Sequence, residues 1–268
     1  ALTSGEWYLN VHTTANPNGE VRGQIVPDTT AVVTFSLSGS QEVPAVDTMA
    51  MGSGYALFDT TNNNVSLVAV TTIENATMAH IHTGFAGENG DVLVGLVESE
   101  STAGVWMTDG SIALDEATAT QLLAGGHYVN VHTAANTGGE IRGQITPDNI
   151  EVYGIIANGL QEVPAVTTTA SGAGAFTLNT STGALSGSVT ITGMTANMAH
   201  IHEGEMGVNG DVLIGLTAGT SGMWSVPANT TLTAEQMNVM ADGGLYTNFH
   251  SDAFPSGEIR GQITLGFD

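Results

Sequence analysis

Cysteine and lysine are both absent from this chain of 268 residues, whose only side-chain cations besides histidine are three arginines. Without cysteine there are no disulfide staples and no thiolate metal ligands. The compartment stays open on that ground alone, because exported proteins also manage without cysteine. Against the arginines stand 26 acidic side chains, for a formal net charge of -23. Such a chain repels phosphate backbones and anionic lipid surfaces and offers no basic patch, which excludes nucleic acid as a partner. Long apolar runs are missing too, and nothing approaches the roughly 20 residues of a membrane span. There is no Gly-rich phosphate loop, nucleophile elbow or EF-hand loop. The chain is nevertheless not of disordered type, since 41% of it is apolar and apolar stretches recur throughout. The excess negative charge suits a salty or divalent-cation-rich exterior, where self-repulsion is screened. The sequence opens at Ala1 with no basic-then-apolar leader, which reads as a chain processed or excised from something longer.

An internal repeat of 120 residues organises the chain. "SGSQEVPAV" at 38–46 returns as "NGLQEVPAV" at 158–166, and "ATMAHIHTGFAGENGDVLVGL" at 76–96 as "ANMAHIHEGEMGVNGDVLIGL" at 196–216. "GGHYVNVHTAANTGGEIRGQI" at 125–145 returns as "GGLYTNFHSDAFPSGEIRGQI" at 243–263. A partial copy, "SGEWYLNVHTTANPNGEVRGQI" at 4–25, matches only the end of the unit. The expected division is a C-terminal remnant of a preceding repeat at 1–27 and full β domains at 31–147 and 150–264. The remnant cannot bury its own apolar face, so it belongs either to a longer tandem array or to a neighbouring domain that takes its strands.

Short runs with period-two apolar character, punctuated by Gly, Asn, Asp, Ser and Thr, predict strands. In the first unit they fall at 31–37, 54–59, 64–71 and 92–97, and in the second at 150–156, 174–178, 185–191 and 212–216. The turns at 60–64 and 179–185 read as hairpin connections. Many short strands per unit predict an all-β fold: two tandem antiparallel Greek-key β-sandwich or barrel domains. One short helix per unit is expected, at 115–123 and from an N-cap at Thr233 to a stop at Gly243.

Six of the eight histidines form two matched sets. His80 and His82 stand two apart in an apolar run, so on a strand both point to one face while Ile81 points the other way. His132, in the alternating segment "YVNVHT", is the third member. His200, His202 and His250 repeat the set. Three imidazoles with an open position suit copper or zinc, with copper preferred; calcium has weaker support, from the oxygen-rich "NGD" turns. The opposing reading is three separate hydrogen-bonding side chains. His12 is the equivalent of His132 in the partial copy and lacks an H-x-H partner. His127 is replaced by Leu245 and Trp7 in the other copies and reads as a surface or packing residue. Met78 and Met198 share the histidine face and are expected to pack near the metal.

Each copy ends in a Glu-x-Arg pair: Glu20 and Arg22, Glu140 and Arg142, Glu258 and Arg260. An ion-pair network is expected there, with Glu42 or Glu162 as a further carboxylate. Asp91 and Asp211 are expected to cap their turns, or else to orient a ligand imidazole.

The three motifs, in this order, resemble the CHRD domain family, with Ala45 and Ala165 where a second proline is common in that family. The resemblance implies an exported protein, extracellular, at the cell surface or periplasmic. The H-x-H strand with a distant histidine is also similar to the copper site of copper-zinc superoxide dismutases, themselves Greek-key barrels; the fourth copper ligand and the bridging histidine of that site are not found here. Three functions follow: an extracellular copper-binding tandem-repeat protein, a dismutase-like copper oxidoreductase, or a structural array whose partners are further copies of the repeat. No catalytic residue beyond the histidine sets is evident.

Overall fold

The computed structural model describes residues 7–27 and 29–266. It opens with a hairpin, β1 (Trp7–Val11) and β2 (Val21–Ile25), which forms a two-stranded sheet of its own. The first domain contains β3 (Thr30–Ser38), β4 (Met51–Asp59), β5 (Asn64–Thr71), β6 (Ala76–Thr83), β7 (Val92–Gly95), β8 (Val97–Glu98), β9 (Val105–Met107) and β10 (Ile112–Ala113). Helix α1 (Glu116–Leu123) and strands β11 (His127–Thr133) and β12 (Ile141–Gln144) complete it. The second repeats the plan with β13 (Ile150–Asn158), β14 (Ser171–Asn179), β15 (Leu185–Thr192), β16 (Met198–Glu203), β17 (Val212–Gly215), β18 (Thr217–Ala218) and β19 (Met223–Ser225). Then come α2 (Ala234–Ala241), β20 (Leu245–His250) and β21 (Ile259–Leu265).

Both domains are nearly closed antiparallel barrels of Greek-key character, as the strand-and-turn pattern predicts. The first sheet runs β7-β6-β11-β12-β3-β4-β5-β9-β8, and the second β17-β16-β20-β21-β13-β14-β15-β19-β18. Alternation builds the cores: Val33, Phe35 and Leu37 of β3 meet Val65, Leu67 and Ala69 of β5 inside the first barrel, with Ile81, Val129 and Ile141. Tyr153, Phe176, Val189, Ile201, Phe249 and Ile259 fill the second.

The predicted strand at 92–97 is divided. Leu96 turns into the core while its N–H donates to the Ala79 carbonyl at 2.9 Å, which separates β7 from β8. Helix α2 starts at its expected cap, and α1 one residue later than expected, with Asp115 as its N-cap. The Asp115 carboxylate accepts from Thr118 N–H, and Thr233 forms a reciprocal capping box with Gln236. Among the described residues no helix is long and apolar enough to cross a membrane.

Candidate metal centre

Strands β6 and β11 pair with Tyr128 opposite His82, Asn130 opposite His80 and His132 opposite Met78. This register puts all six side chains on the outer face of the barrel, because Ala79, Ile81, Val129 and Val131 take the inner one. In the second domain Tyr246 stands opposite His202, Asn248 opposite His200 and His250 opposite Met198. The three predicted histidines of each unit therefore converge, with one ring nitrogen from each lying within 4.8 Å of the others.

Hydrogen bonds fix the tautomers. His82 Nδ1 donates to the Gly90 carbonyl at 3.0 Å and His132 Nδ1 to the Thr137 carbonyl at 3.1 Å. Each neutral ring so held keeps its lone pair on Nε2. His132 Nε2 lies 3.1 Å from His80 Nδ1, whereas His82 Nε2 is buried without a hydrogen-bond partner. The second domain repeats the pattern. His202 Nδ1 donates to Gly210 at 3.0 Å, His250 Nδ1 donates to Pro255 at 3.1 Å, and His200 Nδ1 lies 3.0 Å from His250 Nε2. His202 Nε2 is again orphaned.

A tetrahedral ion with metal–nitrogen bonds of about 2.0–2.1 Å spaces its ligand nitrogens roughly 3.3 Å apart. The close pair in each cluster, together with a buried nitrogen lacking any partner, fits that donor set. Burial holds the His80, His132, His200 and His250 pKa values below the ordinary imidazole range, and that of His82 as well despite the opposing Gly90 hydrogen bond. The rings of these five therefore stay neutral and able to coordinate near pH 7. Met78 and Met198 are 45% and 47% exposed, on the histidine face and in register with the third histidine.

Several expectations need correcting. Arg142 is buried at 1% exposure, yet its donors go to backbone carbonyls rather than to a carboxylate. Nη1 donates to the Glu88 carbonyl at 2.7 Å, and Nη2 to the Phe85 carbonyl and Gln144 Oε1, both at 2.9 Å. Its guanidinium lies 3.5 Å from the centre of the Tyr128 ring, which in turn stacks on His82 at 4.9 Å between centroids. Burial pulls the Arg142 pKa down to about 10, with Tyr128, Glu42 and Glu88 acting in the opposite direction. Glu140, the expected ion-pair partner, accepts instead from Thr133 and Thr48. The arginine acts as a strut between the loop after the H-x-H strand and the ring behind its second histidine. Arg260 repeats this with Val208, Glu205, Gln262 and Tyr246.

Likewise the acceptor that orients His82 is the Gly90 carbonyl, not the Asp91 carboxylate. His127 is fully buried and unpartnered, with its pKa lowered to about 4 by burial, so of its two expected roles it takes packing. His12 lies on the separate hairpin, its Nδ1 donating to the Pro17 carbonyl at 2.9 Å as its counterparts do.

Tyr128 and Asn130 escaped the sequence reading, although the signal was present: a Tyr-x-Asn precedes the third histidine in all three copies. A cleft of about 430 Å³ is lined by His82, Tyr128, Asn130 and Glu42 among others. Asn130 Nδ2 donates to Glu42 Oε2 at 3.4 Å, while Asn130 Oδ1 and Glu42 Oε1 are buried and unpaired. Desolvation pushes the Glu42 pKa up to about 7, against Arg142 and Asn130, and Glu162 is raised to about 7 in the same way.

A carboxyl with a raised folded-state pKa binds its proton more tightly folded than unfolded. Its contribution is complete below the unfolded value of 4.5 and is lost as pH rises through about 7. The combined variant Glu42→Gln/Glu162→Gln should therefore match the wild type near pH 4.5. Above pH 7 it should exceed it by up to roughly 3 kcal/mol per domain in urea unfolding of the metal-free protein. Parallel pH profiles for the two proteins would refute this.

The CHRD domain family matches the chain over residues 1–25, 33–145 and 153–263. No curated protein matches it.

Proposed function

We propose that this chain, which belongs to the CHRD domain family, is an extracellular protein that binds one transition-metal ion, copper, in each full domain. His80, His82 and His132 are the ligands in the first, and His200, His202 and His250 in the second. The observation that carries the proposal is the buried, partnerless Nε2 of His82 and again of His202, each beside two further imidazoles. A buried acceptor left unpaired twice, at equivalent positions, is costly unless something occupies it.

Three imidazoles without a thiolate suit copper(II) or zinc, and the absence of carboxylates from either cluster disfavours calcium. When bound, the ion would supply Lewis acidity and, if copper, a one-electron couple. The chain's own residues hold the imidazoles in one tautomer through Gly90, Thr137, Gly210 and Pro255, and stack Tyr128 on His82 and Tyr246 on His202. The one-signed charge supports the extracellular reading, since self-repulsion is screened in a salty exterior.

The cleft beside His82 favours a second reading, a copper oxidoreductase whose small substrate enters there. Element-resolved metal content of untagged protein, purified without added metal, tests both. Copper at one ion per cluster, with nitrogen hyperfine structure in the electron paramagnetic resonance spectrum, is expected; turnover of superoxide by that form would establish the second reading. Zinc at the same stoichiometry would change the metal. Protein that stays metal-free and takes up none after chelation would overturn the proposal.

A further inference from the structure

The two domains meet through a joint whose two halves recur, without a partner domain among the described residues, one on each domain. By strand alternation Ala175 and Thr177 of β14 and Ser188 of β15 face outward, yet they are 0%, 2% and 0% exposed. The first domain covers them. Ser188 Oγ donates to the Gly87 carbonyl at 3.3 Å, and a Cβ on Gly87 would lie 2.7 Å from Ala175 N. A Cβ on Gly125 would lie 2.7 Å from Ile150 Cγ2 and 3.3 Å from Thr177 Cγ2. Both glycines have positive φ, 81° and 77°, so backbone comes close where a side chain would not fit. Ala86, beside Gly87, is 1% exposed.

The corresponding surface of the second domain meets no other domain among the described residues. Gly207 and Gly243 keep the same positive φ, 79° and 72°, but a Cβ on either would find no atom within 4 Å. Met206, the counterpart of Ala86, is 73% exposed, and Val208 52%. At the other end, Tyr55, Leu57 and Val68 of the first domain stand where Ala175, Thr177 and Ser188 stand in the second. Tyr55 is 37% exposed and Val70, beyond Val68 on the same face, 48%.

We propose that a second copy of this chain docks here, its Met206–Val208 loop on the outer face of β4 and β5, repeating the internal joint between molecules. The occupant follows from the joint itself, in which this loop of one unit already lies on this face of the next. The contact is heterologous, joining different surfaces of each molecule, so it propagates head to tail instead of closing a dimer. The apolar side chains around the bare glycines take the place of the small ones inside the joint, and methionine adapts to an uneven surface. Every copy carries a net charge of -23, so long-range repulsion opposes the contact and salt relieves it. The hairpin 7–25 takes no part, because the incoming second domain brings its own β20 and β21.

Sedimentation velocity of the full chain in chelator tests this independently of metal. Concentration-dependent oligomers are expected, strengthened in about 1 M salt, where the Debye length is about 3 Å. Met206→Glu and Tyr55→Glu, each confirmed folded by thermal unfolding, should weaken association about 100-fold or more by burying an unpaired charge; Val70→Glu replaces Tyr55→Glu if the latter fails to fold. Mixed together, the two variants should form a capped one-to-one heterodimer, since each keeps the half that the other has lost. A monomer at every concentration in high salt, or Met206→Glu associating like the wild type, would overturn the proposal. So would loss of association in the hairpin variant Leu9→Asp, which would point to strand exchange instead.

Discussion

The double variant His82→Ala/His202→Ala is expected to lose transition-metal binding at both clusters by more than about 100-fold. Groups that merely hydrogen-bond to a ligand imidazole are worth about 10–100-fold in affinity, and a ligand itself is worth more. The two residues are chosen because their Nε2 atoms are buried without partners, whereas His80 and His132, like His200 and His250, lie within reach of each other. Removing the unpartnered nitrogen leaves a two-imidazole remnant in each domain. Thermal unfolding gives a second readout: free metal at about 100 times its dissociation constant stabilises a site by about 2.7 kcal/mol. That gain should appear in the wild type and vanish in the variant. His12→Ala is the control, since His12 lies on the separate hairpin, and it should leave metal loading unchanged. Undiminished affinity in the double variant would mean that the clusters are not the sites.

The largest expected loss of stability comes from Arg142→Met. Its side chain is 1% exposed and satisfies the Phe85 and Glu88 carbonyls and Gln144 Oε1 while lying on the Tyr128 ring. Methionine restores part of the volume and none of the donors, so buried acceptors lose their partners. A cost of about 3–5 kcal/mol to the first domain is expected, with the second domain's transition in place. Arg142→Lys should rescue little, although it keeps the charge. An ammonium can neither bridge two carbonyls in one plane nor stack flat on tyrosine. Full rescue by lysine in urea unfolding would show that charge, not the planar fork, is what the position requires. Because Tyr128 stacks on His82, the lysine variant should also bind metal about 10-fold more weakly.

Much of this architecture was legible in the residues. The histidine sets were readable because side chains two apart on a strand share a face, a consequence of the pleat that holds whatever the partner strand is. The helix starts were readable because Asp115 and Thr233 cap through bonds to residues three positions on. The arginine was misread for a physical reason. Glu140 stands two residues before it and alternation puts the two side by side, but a buried guanidinium is satisfied by whatever acceptors converge on it. Here these are carbonyls of a loop more than fifty residues earlier in the chain. Tyr128 was overlooked in the same way, since it meets His82 and Arg142 only once β6, β11 and β12 have come together.

Local and periodic features were therefore set by the chain alone: a repeated all-β unit, an H-x-H pair per unit on one strand face, capped helices and a charge that repels nucleic acid. They depend on alternation, backbone hydrogen bonding and composition, which act over a few residues or over the whole chain at once. Folding determined which nitrogen His82 and His132 present, what satisfies the buried arginine, and that Gly87 and Gly125 meet a neighbouring domain while Gly207 and Gly243 meet no described residue of another. The arginine and glycine contacts rest on atoms brought within about 3 Å from distant parts of the chain, and the imidazole acceptors on loops that turn back five to eight residues on. Desolvation and hydrogen-bond direction act at that range, and no spacing along the sequence encodes them.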